Sequence, residues 1–242
     1  MKAMLFAAGL GTRLRPYTND RPKALVEIEG QTLLGINLRR LKSFGVEEVV
    51  VNVHHFADLV EAHLQANGNY GLNIHVSDER GLLLDTGGGL AQARQWLGDA
   101  PFLVHNVDIL TDLNLADLYE FHINRCALTT LATRQRETSR YLEFDTNARL
   151  AGWRNVRTGE RRISRLVDPV QLFAYSGISV IDPRLFDYFP AQARVFSIID
   201  VWLEAAKNEI LLAYPHDDSR WLDVGKPPAL AQAATAFADW LV

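Results

Sequence analysis

The sequence predicts an α/β fold: a mostly parallel, mixed sheet with helices on both faces, joined to a smaller antiparallel lobe. Three observations predict it. Short β-branched or apolar runs alternate with segments of helical spacing through roughly the first 110 residues. After about residue 126, strand-like runs follow one another, with turn residues such as Asn147 and Gly159 between them. No Pro/Ser-rich linker, repeat or low-complexity stretch divides the 242 residues, so they read as one unit with two lobes.

Each element has its own reason. Residues 2–7 form a short apolar run, read as a buried strand, and 8–13 a loop. Residues 32–44 place Leu33, Leu34, Ile36, Leu38, Leu41 and Phe44 on one helical face, and Gly45 is a natural stop. The run 49–53 is nearly all valine, as expected of a strand covered on both faces. Helical spacing returns over 56–66, a strand over 72–76, a helix over 90–97 and a strand over 102–105. The second lobe shows strands at 127–133, 141–144, 150–153 and 173–181. A helix at 197–206 has Ser197 as its cap; a strand at 210–214 and a helix at 228–240 follow. In such sheets, ligands sit beyond the carboxyl ends of the strands, where the loop 8–13 and the segment 106–108 both fall.

Composition narrows the function. Hydrophobic residues are 48% and charged residues 22%, ordinary for a water-exposed globular chain. The net charge of −4 lacks the basic surplus of a nucleic-acid binder. One basic cluster, Arg13, Arg15, Arg21 and Lys23, lies in and just after a glycine-rich loop and suits one small polyanion. A second, Arg154 to Arg165, reads as a turn between exposed strands. No apolar run approaches the ~20 residues that span a membrane. The single cysteine, Cys126, fits a reducing compartment, and a cytoplasmic location is expected.

The loop Ala7-Ala8-Gly9-Leu10-Gly11-Thr12-Arg13-Leu14 carries the first chemistry. Glycines let backbone N–H groups approach an anion, and an arginine fork fits phosphate oxygens. The dinucleotide fingerprint fails because Leu14 stands where its third glycine belongs; the P-loop fails because Gly11-Thr12-Arg13 is not Gly-Lys-Ser/Thr. Asp108, after the strand 102–105, and Asp223, in Trp221-Leu222-Asp223-Val224-Gly225, are two hard oxygen donors of the kind that hold Mg²⁺ together with phosphate. The plainer reading makes each a cap, and Asp112 a cap for the helix after Asn114. His54, His55, His105 and His216 show no metal-ligand spacing and read as core or surface histidines.

Residues 5–16 followed by Arg21-Pro22-Lys23-Ala24-Leu25-Val26 resemble the N-terminal signature of the sugar-1-phosphate nucleotidyltransferase family. The resemblance implies a Rossmann-like sheet, a nucleotide-binding lobe at about 1–112, a sugar-binding lobe at about 113–220 and a metal motif with terminal helix at 221–242. It implies that Ala8, Gly9, Gly11, Thr12 and Arg13 wrap a nucleoside triphosphate, with Thr86, Gly87, Gly88 and Asn106 also on the nucleotide. Arg13, Lys23 and Asp108 become the catalytic residues, Arg13 on the leaving pyrophosphate and Lys23 on a reacting phosphate. Asp108 and Asp223 become Mg²⁺ ligands, and Gly177 and Asp200 sugar contacts. Val107 stands where many members of the family have the glycine of an N-G-D stretch, and its bulk is expected to narrow the approach of the nucleotide sugar.

The stretch Leu84-Asp85-Thr86-Gly87-Gly88-Gly89 looks like that of N-acetylmuramic acid 1-phosphate uridylyltransferases. It points to uracil as the base, read by backbone beside the three glycines. Guanylyl and cytidylyl transfer remain alternatives, as does a catalytically silent nucleotide-sugar sensor. Val167-Asp168-Pro169 stands where some members have Glu-Lys-Pro, which leaves the phosphate contact of the second lobe unassigned. The expected partners are a nucleoside triphosphate and a sugar 1-phosphate, with no nucleic acid and no membrane. The expected assembly is a monomer or small homo-oligomer. No acetyltransferase extension is expected after the terminal helix.

Overall fold

The structure is a computed structural model that describes residues 1–240. In chain order it runs β1 (Lys2–Phe6), β2 (Glu27–Ile28), β3 (Gln31–Thr32), α1 (Leu33–Ser43), β4 (Glu48–Val53), α2 (Ala57–Ala66) and β5 (Asn73–Asp78). There follow α3 (Asp85–Leu97), β6 (Phe102–Asn106), β7 (Ile109–Thr111), α4 (Leu115–Arg125), β8 (Thr129–Arg134), β9 (Arg140–Phe144), β10 (Leu150–Asn155) and β11 (Arg161–Ile163). The chain ends through β12 (Gln171–Ile181), α5 (Ile198–Ala205), β13 (Leu211–Pro215), β14 (Trp221–Asp223) and α6 (Pro227–Ala236). The fold is α/β with mixed sheet pairing, as expected. Among the described residues no helix is long and apolar enough to cross a membrane.

Two compact units share the chain. The first comprises residues 1–83, 105–113 and 219–242; the second comprises 84–104 and 114–218. Residues 84–104 thus group with 114–218.

In the first unit, β1, β4 and β5 pair in parallel, with Met4 beside Val50 and Val50 beside His75. Ala3, Met4, Leu5 and Val49 to Val51 are fully buried, which is why those runs lack polar alternation. The cap of α1 is Thr32, whose Oγ1 accepts from the Gly35 N–H at 3.1 Å. The short β7 pairs antiparallel with β14, Asp223 lying beside Ile109.

In the second unit, β8 lies between β13, parallel, and β12, antiparallel; β9, β10 and β11 extend antiparallel from β12. Gly177 sits at φ +81° where the β12–β8 register shifts, a bulge that a side chain would strain. Ser197 caps α5, accepting from the Ile199 N–H at 3.2 Å.

Three expectations need correction. The helix read as starting at Leu90 starts at Asp85, with Gly87, Gly88 and Gly89 inside its first turns. The cap of α4 is Asn114, which accepts from the Ala116 and Asp117 N–H groups, and not Asp112, which binds Arg220. The three-residue strands β7, β11 and β14 were not predicted, being too short to show a period.

Candidate functional site

The first unit gathers one set of charged groups. The loop after β1 is fixed at its root by Asn52, the polar residue near the end of the valine strand. Its Oδ1 accepts from the Ala7 N–H at 2.7 Å and the Ala8 N–H at 3.4 Å, while its amide donates to Glu79 at 2.7 Å. Gly9 has open space where a side chain would stand. Gly11 has φ +63°, and a Cβ there would lie 3.0 Å from Thr18 and 3.1 Å from Lys23. Thr18 Oγ1 donates to the Gly11 carbonyl at 2.9 Å, so the turn is held from outside. Thr12 and Arg13 follow in a single exposed 3₁₀ turn. Arg21 is engaged by Asp20 at 3.1 Å.

Lys23 is 8% exposed and its ammonium is ion-paired with the Asp108 carboxylate. Asp108 is placed by its neighbours. The Val107 N–H donates to the Phe6 carbonyl at 3.1 Å, and the Val107 carbonyl accepts from Asn37 at 2.9 Å. Val107 itself is 3% exposed; its side chain is in the core, so it does not narrow any approach, contrary to expectation. The Asp108 carbonyl accepts from the Val224 N–H at 2.8 Å. That bond and the β7–β14 register bring Asp108 and Asp223 to the same end of a two-stranded ribbon. A Cβ at Gly225 would lie 2.6 Å from Asp223 Oδ1 and 3.0 Å from Arg13 Nη2. The missing side chain at Gly225 thus makes room for that carboxylate and that guanidinium together.

Asp223 does not cap α6, which begins at Pro227 after Lys226 with no side-chain cap, and Asp108 leads directly into β7. Among the described residues no three or more His, Cys, Asp or Glu converge as a metal cluster. Two hard carboxylates at one end of a ribbon are the donor type that suits Mg²⁺, which draws its remaining ligands from phosphate and water. Asn106 is half-buried, and its carbonyl faces His105 Nδ1 at 2.9 Å. Burial pushes the His105 pKa down to about 4, keeping that ring neutral beside the charged groups.

In the second unit the expected nucleotide contacts take a different form. The Gly87 and Gly88 N–H groups both donate to the Phe196 carbonyl, at 2.9 and 3.2 Å. A Cβ at Gly88 would collide with the Arg194 carbonyl, and one at Gly87 with the Phe196 ring. These glycines serve close packing of α3 on the 194–198 segment, so reading of a base by their amides is not supported by the geometry. Thr86 Oγ1 accepts from the Ile198 N–H at 3.0 Å and joins the same packing. Asp200 is exposed and pairs with Arg162 at 2.7 Å. Both border a cleft of about 380 Å³ that Tyr141, Trp153 and Tyr175 also line. Gly177 is buried in β12.

Arg13, Lys23, Asp108 and Asp223 thus belong to one unit, and Thr86, Gly87, Gly88, Gly177 and Asp200 to the other. Sequence reasoning missed Asn37, Asn52 and Thr18, which position the loop and Asp108. Asn52 was detectable as the one polar residue in the valine run 49–53; Asn37 and Thr18 gave no such signal.

Residues 2–239 match the model of the nucleotidyl transferase family. Two relatives are both named N-acetylmuramate α-1-phosphate uridylyltransferase. The one from Caulobacter vibrioides is 57% identical over 44% of this chain and 45% of its own length. The one from Neisseria meningitidis serogroup B is 32% identical over 99% of this chain and 100% of its own. Among solved structures, HddC from Yersinia pseudotuberculosis superposes with a TM-score of 0.77 at 20% identity, covering 98% of this chain and 99% of that one.

Proposed function

The chain belongs to the nucleotidyl transferase family, among its sugar-1-phosphate members, and we propose that it transfers the uridylyl group of UTP to N-acetylmuramate 1-phosphate. The observation that carries the transfer reaction is the gathering of Arg13, Lys23, Asp108 and Asp223 at the glycine loop of one unit. The preference for uridine and muramate is supported by the two relatives.

An oxygen of the sugar phosphate attacks the α-phosphorus in line. The new bond is O–Pα, and the bond from Pα to the bridging oxygen breaks, releasing pyrophosphate. No covalent intermediate on the protein is required, so catalysis is positioning and charge neutralisation. Arg13, exposed and beside Gly225, neutralises the departing pyrophosphate. The loop amides near Gly9, Gly11 and Thr12 line the triphosphate, with the Ala8 N–H already leaning on Asn52. Lys23 is placed to engage a reacting phosphate, and Asp108 and Asp223 are the residues that would hold Mg²⁺. When bound there, Mg²⁺ supplies a Lewis acid that offsets the charge of the reacting phosphates. The neutral His105 ring adds no competing positive charge near Asp108.

The test is pyrophosphate release with Mg²⁺ across a matrix of nucleoside triphosphates and sugar 1-phosphates. UTP with N-acetylmuramate 1-phosphate is expected to give the highest kcat/KM. A higher value for GTP or CTP with another sugar phosphate overturns the assignment.

A further inference from the structure

We propose that the cleft of the second unit is a carboxylate-reading pocket in which Arg140, supported by Arg136 and Arg162, binds the acidic substituent of the acceptor sugar. The proposal rests on the acceptor assigned above. N-acetylmuramate differs from N-acetylglucosamine by a lactyl ether, which adds one carboxylate at a distance from the phosphate.

The strand register sorts the arginines of this region onto two faces. Across β9 and β10, Leu142 lies beside Trp153 and Arg140 beside Asn155; across β10 and β11, Trp153 lies beside Arg162. Directly opposed residues share a face, and alternate residues along a strand return to it. Arg140, Leu142, Trp153 and Arg162 therefore stand on one face, and all four line the cleft of about 380 Å³. Glu143, Arg154 and Arg161 stand on the other. There the Glu143 carboxylate, 1% exposed, is ion-paired with Arg154 and with Arg161, the latter at 2.8 Å. Burial pushes the Glu143 pKa up, but the two guanidinium groups outweigh it and hold the carboxyl below its usual range. One face balances its charges internally and the other does not.

The cleft lining holds three arginines against one carboxylate, Asp200. Asp200 engages Arg162, and Arg136 donates to the Tyr175 carbonyl at 3.3 Å. The Arg140 guanidinium has no hydrogen-bond or ion-pair partner among the described residues. The turn that carries it is already ordered. Tyr141 Oη donates to the Arg136 carbonyl at 3.2 Å and accepts from the Thr138 N–H at 3.1 Å, and the Arg140 N–H donates to Thr138 Oγ1 at 3.3 Å. A cation on a preordered turn binds an anion at a smaller entropic cost than a mobile one. The guanidinium fork matches a carboxylate in two parallel hydrogen bonds. Trp153 on the same face offers an aromatic surface for the apolar face of a pyranose.

The experiment measures binding of UDP-N-acetylmuramate and UDP-N-acetylglucosamine to the full chain by calorimetry, for the wild type, Arg140→Ala and Arg140→Lys. The wild type is expected to favour the muramate product. Arg140→Ala is expected to narrow that preference by about 10- to 100-fold, the ordinary worth of a charge-assisted pair. Arg140→Lys is expected to recover part of it. Equal losses for both products would assign Arg140 to the phosphates and overturn the proposal, as would an unchanged preference. Arg140 is exposed, so thermal unfolding of the variants should match the wild type. Failure of the uridylyl reading is seen separately, in the triphosphate matrix; a muramate-using enzyme whose preference ignores Arg140 refutes this inference alone.

Discussion

The glycine loop of the first unit and the arginine-lined cleft of the second are both proposed to bind anions, but they are built in opposite ways. In the first, the cations come from one stretch of sequence, residues 11–23, and are held by backbone turns and buried amides. In the second, they come from β9, β11 and the loop before β9, and the side chains would do the reading. Triphosphate is common to every turnover, so a backbone-fixed cradle suits it. The acceptor is what distinguishes one transferase from another, and a sheet face can change its residues without disturbing the loop.

The largest expected effect tests the first half of that contrast. Arg13→Ala and Asp108→Asn should each lower kcat by about 10³-fold, the scale seen when a charge-stabilising group is removed from phosphoryl or acyl transfer. Far-UV circular dichroism and thermal unfolding should stay close to wild type for Arg13→Ala, because the side chain is exposed. Activity within tenfold of wild type in either variant removes that residue from the mechanism.

Glycines sharpen the contrast next. Gly9 and Gly88 lie in similar-looking glycine motifs. A methyl group at Gly9 meets nothing within 4 Å, whereas one at Gly88 collides with the Arg194 carbonyl. Gly88→Ala should therefore destabilise by about 3 kcal/mol through overpacking. Gly9→Ala should fold with stability near that of the wild type, any loss falling on nucleotide binding instead. Urea unfolding separates the two; comparable destabilisation would mean that both motifs are structural.

Much of this was legible in the sequence where the signal was contiguous. The loop from Ala7 to Arg13 and the apolar runs of β1, β4 and α1 combine local pattern with burial, and both agree. The start of α3 was misread because glycine propensity opposes a helix, while the fold supplies the Phe196 carbonyl and a close-packed segment that only glycine admits. The arginine face of β9–β11 was illegible because it depends on register between strands, and β11 has only three residues.

A smaller effect comes from acid. His122 in α4 is 1% exposed, with Nδ1 3.0 Å from Thr130 Oγ1, and burial lowers its pKa to about 4. Asp182 nearby acts to raise the value and Arg184 to lower it. The unfolded chain takes up this proton near the ordinary pKa of ~6.5 and the folded chain does not. The histidine's contribution is thus full above pH ~6.5 and is lost as pH falls towards 4, on the order of 2 kcal/mol in all. Urea unfolding of His122→Gln should show a shallower fall between those pH values. An identical pH slope would place the acid sensitivity elsewhere.

The smallest expected effect lies where the chain passes from one unit to the other, at residues 113 and 114. Asp112 and Asn114 are two residues apart and look interchangeable as helix caps, yet each serves a different unit. Asp112 receives Arg220, at 2.6 Å from Nε, in an exposed ion pair within the first unit. Asn114 accepts two N–H groups that α4 of the second unit would otherwise leave without a partner. Asn114→Ala should lower stability by about 1 kcal/mol, as the loss of a helix cap does, and Asn114→Asp should restore most of it. Asp112→Ala removes a solvent-exposed pair and should cost less than about 1 kcal/mol, with a dependence on ionic strength that Asn114→Ala lacks. Denaturant unfolding at low and high salt distinguishes them. Salt-sensitive loss at Asn114, or a salt-independent loss at Asp112, would mean that the two residues had been assigned to the wrong units.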